Sequence, residues 1–214
     1  MRWWKPIIEE VEHKVQASEL QVLRQSLADS PYLTPNVLNH RFASTQGFSL
    51  LFAAADRLPP QFHFLTLFLQ HLDPRCNYFY LNVLQLSTAA KVDRHIDHSV
   101  RGYSERLPFP RRVSVLYLQA DHVEGGNLLF YNSRDEVMRE VVPATGKWVS
   151  FAGHLKHAIT PVLNCAQPRL SLVCEQYKLR KSHRAYLPAF TLKSTASFDI
   201  FLAEALPDNE VNTL

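Results

Sequence analysis

The chain has 214 residues, enough for a substantial core, and one domain spanning 1–214 is predicted. Hydrophobic residues make up 46% and charged residues 20%, as in ordinary globular proteins. The formal net charge of +3 is too small to indicate a nucleic-acid partner. The longest apolar run, 48–55, is too short to cross a bilayer, so no membrane association is expected.

The cysteines and the N-terminal residues predict a cytoplasmic protein. Cys76, Cys165 and Cys174 are an odd set without a Cys-x-x-Cys motif, which favours reduced thiols over a disulfide framework. The first residues lack the apolar stretch of a signal peptide.

Residues 1–76 are predicted to form a largely helical N-terminal support. Ser18 can cap a helix whose leucines recur at helical spacing up to Leu27. A second helix is expected over 60–72, where apolar residues on nearly every side indicate burial against a sheet.

From residue 77 the pattern changes to short β-rich runs separated by turn residues, which is typical of an antiparallel sandwich or jelly roll. The fold class is therefore predicted to be mainly β with flanking α-helices, with a jelly-roll core over 77–178. The predicted strands are 78–86, 94–98, 112–119, 127–131, 137–142, 147–151, 157–162 and 169–178.

Residues 179–214 are predicted to form a C-terminal extension with a helix near 198–206. Its apolar stripe should dock on the core or on a second subunit. The pattern favours neither a monomer nor a homodimer.

The sequence Arg94-His95-Ile96-Asp97-His98 contains the first candidate metal ligands. In an extended segment alternate side chains share a face, so His95 and Asp97 would point to a common site while His98 points away. His157 is the best candidate for a third ligand. Two imidazoles and one carboxylate suit a metal such as Fe(II) and leave coordination positions open.

The order of these residues carries a family resemblance. After His95-Ile96-Asp97 come His157 and then Arg169-Leu170-Ser171, and the other matching residues are Tyr117, Gly125-Gly126, Phe130 and Pro161-Val162. Over about residues 77–178 the chain resembles the Fe(II)- and 2-oxoglutarate-dependent dioxygenases, within them the prolyl-4-hydroxylase-like branch. The resemblance implies a double-stranded β-helix (cupin-like jelly roll), Fe(II) held by the three ligands, 2-oxoglutarate as cosubstrate, and O₂.

The resemblance also assigns the cosubstrate contacts. Arg169 would bind the far carboxylate of 2-oxoglutarate through paired hydrogen bonds, with the Ser171 hydroxyl close by and Tyr117 donating to the same group. Many members carry a cosubstrate-contacting tyrosine where this chain has Gln85, whose amide could still donate.

Two residues are predicted to contact the substrate. Strand alternation turns Glu175 to the same face as Arg169, where a carboxylate would favour a cationic substrate group, unless Glu175 pairs internally with an arginine or lysine. Arg101 lies in the segment 99–111, which is long enough to be a lid.

The resemblance implies an enzyme that hydroxylates an unactivated C–H bond, and we expect its substrate to be a small molecule, such as an amino acid or an amine-bearing metabolite. A peptidyl-prolyl hydroxylase is the alternative within the family. Outside it, a zinc-dependent hydrolase and a non-catalytic jelly-roll binding module remain open.

Overall fold

A computed structural model describes residues 8–36, 42, 44–53 and 58–196. The helix predicted near 198–206 lies outside the described residues. No helix in the described ranges is long and apolar enough to cross a membrane. One domain over 1–214 stays a prediction.

The described chain is built mainly from short antiparallel strands. In chain order they are β1 (Ile8–Val11), β2 (Thr34–Pro35), β3 (Thr45–Phe52), β4 (Tyr78–Leu86), β5 (Val92–His95), β6 (Arg112–Gln119), β7 (Val123–Gly125), β8 (Leu128–Tyr131), β9 (Val137–Val141), β10 (Trp148–Phe151), β11 (Lys156–Ile159), β12 (Val162–Cys165), β13 (Arg169–Tyr177) and β14 (Phe190–Lys193). The α-helices are α1 (Ala17–Ala28), α2 (Thr66–Leu69) and α3 (Lys181–Arg184), and 3-10 helices span Pro60–Leu65 and Ser99–Gly102.

The strands form a jelly roll of two main sheets. The major sheet has the order β1-β10-β6-β13-β4-β3-β14, with β2 paired to β3, and the minor sheet has the order β5-β11-β8-β9. Strands β12 and β7 form a separate pair. One buried cluster joins Leu84 and Val115 of the major sheet to Leu128 and Ile159 of the minor sheet, so the two sheets pack face to face.

The helices cover the other face of the major sheet. Leu81 and Leu172 point to that face and share a second buried cluster with Leu23 of α1 and Phe68 of α2. Trp148 of β10 is fully buried there, with its ring centroid 5.1 Å from that of Phe68. The major sheet is thus buried on both faces, which fixes the direction of each of its side chains.

The prediction that residues 1–76 are largely helical was wrong. β3 pairs with β4 along its whole length and with β14 on its other edge, so this segment supplies an interior strand of the major sheet. Because both faces of β3 are covered, its apolar residues Phe48, Leu50, Leu51 and Phe52 do not follow a strict alternation. The expected helix over 60–72 is a 3-10 helix followed by one short α-helical turn.

Two predicted strands also have different bounds. The strand expected over 94–98 is Val92–His95 and ends before Asp97. The strand expected over 157–162 is divided into β11 and β12 at Pro161, which has no backbone N–H to continue a ladder.

Candidate active site

The three predicted metal ligands meet where β5 and β11 pair. His95 ends β5 and lies opposite His157 of β11 in the antiparallel register. Nε2 of His95 is 3.3 Å from Oδ1 of Asp97, and Nε2 of His157 is 3.4 Å from Oδ2. One ligand atom from each residue lies within 4.8 Å of the other two. The predicted grouping of His95, Asp97 and His157 is present in the structure.

The reason given for the convergence of His95 and Asp97 was incorrect. The strand stops at His95, so the two side chains do not share a face through strand alternation. Instead, the chain leaves the strand and turns into the 3-10 helix Ser99–Gly102, which brings the Asp97 carboxylate back over the imidazoles.

Backbone carbonyls fix both imidazole rings. Nδ1 of His95 is 2.7 Å from the carbonyl oxygen of Asp93, and Nδ1 of His157 is 3.0 Å from that of Leu155. These hydrogen bonds assign the proton to Nδ1, so Nε2 of each neutral ring presents a lone pair toward Asp97.

The protonation states of the three residues also suit metal binding. Burial lowers the pKa of His157, which favours its neutral form. Burial opposes ionisation of Asp97, but the positive charge that His157 and His95 carry when protonated, together with a hydrogen bond from His95, outweighs it and lowers the pKa of the carboxyl group. When both rings are neutral, a bound metal ion would supply that positive charge. Neutral imidazoles with an ionised carboxylate are the donor set of the two-histidine, one-carboxylate triad that binds Fe(II). In the described ranges no fourth histidine, cysteine or carboxylate joins this group, unlike in a closed tetrahedral zinc site.

A cavity next to the triad contains a buried guanidinium group. We call it the inner cavity; its walls are Leu84, Val115, Tyr117, Leu128, Ile159, Arg169 and Val173, and it opens onto the three ligands. Arg169 is 1% exposed, and its Nε and Nη1 have no hydrogen-bond partner among the described residues. A buried cation without partners is unfavourable, so this position is suited to an anion.

Tyr117 and Gly126 shape the surroundings of that guanidinium. Its central carbon lies 4.7 Å from the centroid of the Tyr117 ring, and the Tyr117 hydroxyl is also buried without a partner in the described chain. A Cβ at Gly126 would stand 3.2 Å from Cδ of Arg169, and Gly126 has a φ of +64°. Only glycine takes both the close approach and this backbone conformation without strain.

The other two predicted cosubstrate residues are placed differently. Ser171 lies on the same strand face as Arg169 and is fully buried, but its hydroxyl donates to the Leu84 carbonyl at 3.4 Å. Gln85 points to the opposite face of β4, where it lines a surface pocket with Arg24 and Gln119. The prediction that Gln85 contacts the cosubstrate was therefore wrong, because the inward side chain at this end of β4 is Leu84.

Asn82 is the inward polar residue of β4 that sequence reasoning missed. It borders the inner cavity, and its Oδ1 accepts a hydrogen bond of 2.5 Å from the Ser49 hydroxyl. Strand alternation from Leu84 would have identified it, since the two residues share a face.

Glu175 does not contact an open cavity. Its carboxyl group is 1% exposed and receives hydrogen bonds from the Ser99 backbone N–H at 3.0 Å, from the Ser99 hydroxyl and from the Tyr177 hydroxyl. Neither prediction for Glu175 agrees with the described part of the structure: it lines neither cavity next to the triad, and its hydrogen-bond partners there are hydroxyl and amide groups, not an arginine or lysine. It holds the start of the turn that follows Asp97.

Arg101 and the predicted lid are also packed. Nη1 of Arg101 donates to the Leu107 carbonyl at 3.2 Å, and its guanidinium lies 4.9 Å from the Phe109 ring centroid. The segment 99–111 buries Val100 and Leu107 completely. Arg101 therefore braces its own segment and does not point into either cavity next to the triad, contrary to the substrate-contacting role predicted for it.

The match to a family model agrees with this geometry. Residues 81–174 match the model of the 2OG-Fe(II) oxygenase superfamily. The matched residues include His95, Asp97, His157 and Arg169. The match and the triad support an oxidoreductase of the dioxygenase class that uses Fe(II), 2-oxoglutarate and O₂. No curated protein matches the chain in sequence.

Several solved structures share the fold. A prolyl-4-hydroxylase from Pseudomonas putida is 17% identical, with 80% of this chain and 92% of that chain covered at a TM-score of 0.56. A prolyl hydroxylase from Trichoplax adhaerens, in complex with a hypoxia inducible factor peptide, is 12% identical over 85% and 87% of the two chains, with a TM-score of 0.55. IDO from Bacillus thuringiensis is 15% identical over 81% and 94%, with a TM-score of 0.53.

The first prediction concerns the triad. Asp97→Ala removes one of three ligands, so Fe(II) affinity should fall by more than about 100-fold, because even groups behind metal ligands contribute 10–100-fold. Anaerobic iron titration measures the loss, and circular dichroism checks that the fold is kept. The control is His154→Ala, an exposed histidine outside the group. Equal iron affinity in the Asp97→Ala protein and the parent would contradict the assignment.

The second prediction concerns Glu175. Burial, aided by the charge of Asp97, raises its pKa from 4.5 to about 8, although Ser99 and Tyr177 donate hydrogen bonds to it. Between these values the folded state holds a proton that the unfolded state has lost, so this group's contribution to stability falls as pH rises. Glu175→Gln should remove that slope from the pH dependence of the unfolding free energy.

A second variant separates the hydrogen bonds from the charge. Glu175→Ala leaves the Ser99 and Tyr177 donors unpaired beside a void, which should cost about 2–4 kcal/mol. The nearly isosteric Glu175→Gln should cost less than about 1 kcal/mol at pH 6. Denaturant titrations of the three proteins from pH 5 to 8 measure both effects. A slope that is the same in the parent and in Glu175→Gln would refute the proton assignment.

Proposed function

We propose that His95, Asp97 and His157 hold the Fe(II) of this enzyme and that Arg169 binds the far carboxylate of 2-oxoglutarate. The observation that supports this most is the buried guanidinium of Arg169, which shares the inner cavity with the three ligands and has two nitrogen atoms without partners among the described residues. A guanidinium offers a carboxylate two parallel hydrogen bonds. The Tyr117 hydroxyl supplies a further donor beside it.

In this proposal the dicarboxylate lies along the inner cavity, with one charged end at Arg169 and the other at the metal. Between these ends the walls are aliphatic, formed by residues such as Leu128, Ile159 and Val173. They exclude water, which strengthens the pairing between the guanidinium and a carboxylate. Ser171 keeps a supporting role in this proposal, since its hydroxyl contacts the backbone of β4.

The reaction that we propose is hydroxylation of an unactivated C–H bond. Fe(II) with O₂ and 2-oxoglutarate supplies the oxidising chemistry, and the protein binds and orients the reactants. His95 and His157 hold their lone pairs toward the metal position, and Asp97 adds the negative charge.

The substrate that we propose is a small molecule, with an amino acid among the candidates. A second cavity of about 260 Å³ borders Asp97 and His95, close to the lower end of the ~300–1,000 Å³ range of small-molecule sites. Glu175 gives no support to an amine-bearing substrate, because its carboxyl group is enclosed. Succinate release from 2-oxoglutarate, screened with free amino acids and with proline-containing peptides, separates this proposal from a peptidyl-prolyl hydroxylase.

The alternatives from other classes have less support. A zinc hydrolase would leave the buried Arg169 without a role, and a binding module would need no metal triad. Iron-dependent succinate formation by the purified protein supports the oxygenase, whereas zinc-dependent hydrolysis without consumption of 2-oxoglutarate would contradict it.

A reducing compartment is the location that we propose. The described cysteines, Cys76, Cys165 and Cys174, are all free thiols. Cys76 and Cys174 are buried, and such thiols are usual in proteins kept reduced.

The third prediction concerns the cosubstrate. Arg169→Ala should weaken binding of 2-oxoglutarate by about 2–5 kcal/mol, because it removes one partner of a buried charged pair. Tyr117→Phe should cost about 0.5–1.5 kcal/mol, the contribution of one neutral hydrogen bond. Calorimetric titration of 2-oxoglutarate into the anaerobic Fe(II) protein measures both.

Gln85→Ala is the matched control, since Gln85 faces the opposite side of β4 and should leave the affinity unchanged. If Gln85→Ala weakened binding as much as Arg169→Ala, the cosubstrate would not occupy the inner cavity.

A further inference from the structure

The second cavity has a cation at its mouth. We call it the outer cavity; among its lining residues are His95 and Asp97 of the triad, together with Tyr80, Asn82 and Lys193. It therefore adjoins the metal position directly. A molecule in it would present its atoms to the site where oxidation takes place.

Lys193 is held there by the fold. It is the last residue of β14 and lies opposite Ser49 of β3, at the edge of the major sheet. Its ammonium nitrogen is 5.1 Å from the ring centroid of Tyr103 and 5.8 Å from that of Tyr80. Two aromatic faces attract and orient a cation but leave its charge unneutralised.

The charge of Lys193 is not balanced by a carboxylate in the described part of the chain. None of the ion pairs found there includes it, and the nearest acidic residues of the site are already engaged. Asp97 lies between His95 and His157, and Glu175 is enclosed by Ser99 and Tyr177. Asp97 is the one carboxylate among the described residues that line the outer cavity.

Tyr80 and Asn82 add neutral polar groups to the wall. Burial raises the pKa of the Tyr80 hydroxyl well above its ordinary value, so it stays protonated and can donate. Asn82 already uses its carbonyl oxygen to accept from Ser49, which leaves its amide group to donate. One ammonium group beside neutral donors matches a singly charged, oxygen-bearing anion, that is, a carboxylate.

We propose that the outer cavity binds the substrate whose C–H bond is hydroxylated, and that Lys193 pairs with a carboxylate group of this substrate. The substrate class is therefore a small carboxylic acid, and Lys193 determines this specificity. The inference rests on the proposed function, since it places the reacting C–H bond at the triad. An amino acid fits this class through its carboxylate, not through its amine.

The geometry also gives Lys193 an orienting role. Lys193 and the ligands His95 and Asp97 line the same outer cavity, so a carboxylate bound to the ammonium group would hold the rest of a short molecule near the triad. Changing the length of the bound molecule, or neutralising its carboxylate, should then change its binding, because the charged pair sets the position of the carbon chain relative to the metal.

The test compares matched ligands that differ only in charge. The probes are N-acetyl derivatives of the standard amino acids, each as the free carboxylate and as the carboxamide. They are titrated by calorimetry into the anaerobic protein loaded with Fe(II) and 2-oxoglutarate, which cannot turn over without O₂. We expect the carboxylate of at least one pair to bind ten-fold or more tightly than its carboxamide.

Variants of Lys193 connect that preference to the residue. Lys193→Met should reduce the ratio of the two affinities to near one, whereas Lys193→Arg should keep most of it. Lys181→Met is the control, because Lys181 is exposed on α3 outside the outer cavity. The proposal is overturned if the carboxamide binds as tightly as the carboxylate in every pair. It is also overturned if no probe of any pair binds. A preference that survives Lys193→Met overturns it as well.

Failure of the proposed function would look different. Succinate release by the parent protein under air, without any probe, tests the oxygenase chemistry alone. Its absence contradicts the proposed function, while the binding ratio of the matched ligands still decides the role of Lys193.

Discussion

The pairing of β5 with β11 is the constraint on which the site depends. It places His95 opposite His157, with ring centroids 4.4 Å apart, and so creates a position at which one carboxylate can reach both Nε2 atoms. Asp97 is buried there between two neutral rings, an arrangement that is unfavourable for a carboxylate unless a cation joins it. A shift of one residue in the register would turn one histidine to the other face of the minor sheet, and the three ligands would no longer lie together.

The rest of the structure holds this arrangement in place from both sides. The Nδ1 atom of each imidazole is hydrogen-bonded to the backbone carbonyl two residues earlier in the chain, which restrains the orientation of both rings. The turn after Asp97 is tied to the major sheet through Ser99 and Glu175. The Arg169 side chain extends from the major sheet into the inner cavity, where its guanidinium packs against the Tyr117 ring. The two sheets thus contribute different parts. The minor sheet supplies the histidine ligands, and the major sheet supplies the Arg169 guanidinium and the Glu175 carboxyl group that holds the turn after Asp97.

Much of this could be predicted from the sequence because it depends on residue order and alternation. The bounds of β4 and β6 follow from their apolar pattern, and the grouping of His95, Asp97 and His157 follows from their order. What could not be predicted depends on long-range packing. β3 is covered on both faces and therefore has no alternating signal, and nothing local in the sequence shows that Glu175 meets Ser99 from another strand. Gln85 was assigned through its position relative to a family residue, whereas strand alternation favoured Asn82.

The central claim is that one metal and one dicarboxylate occupy the same pocket between the sheets. The most direct measurement is anomalous diffraction from anaerobic crystals grown with Fe(II) and 2-oxoglutarate. We predict a single iron peak within coordination distance of Nε2 of His95, Nε2 of His157 and the Asp97 carboxylate, with the far carboxylate of 2-oxoglutarate on the guanidinium of Arg169. An iron peak elsewhere, or a cosubstrate that leaves Arg169 without a partner, would contradict the account.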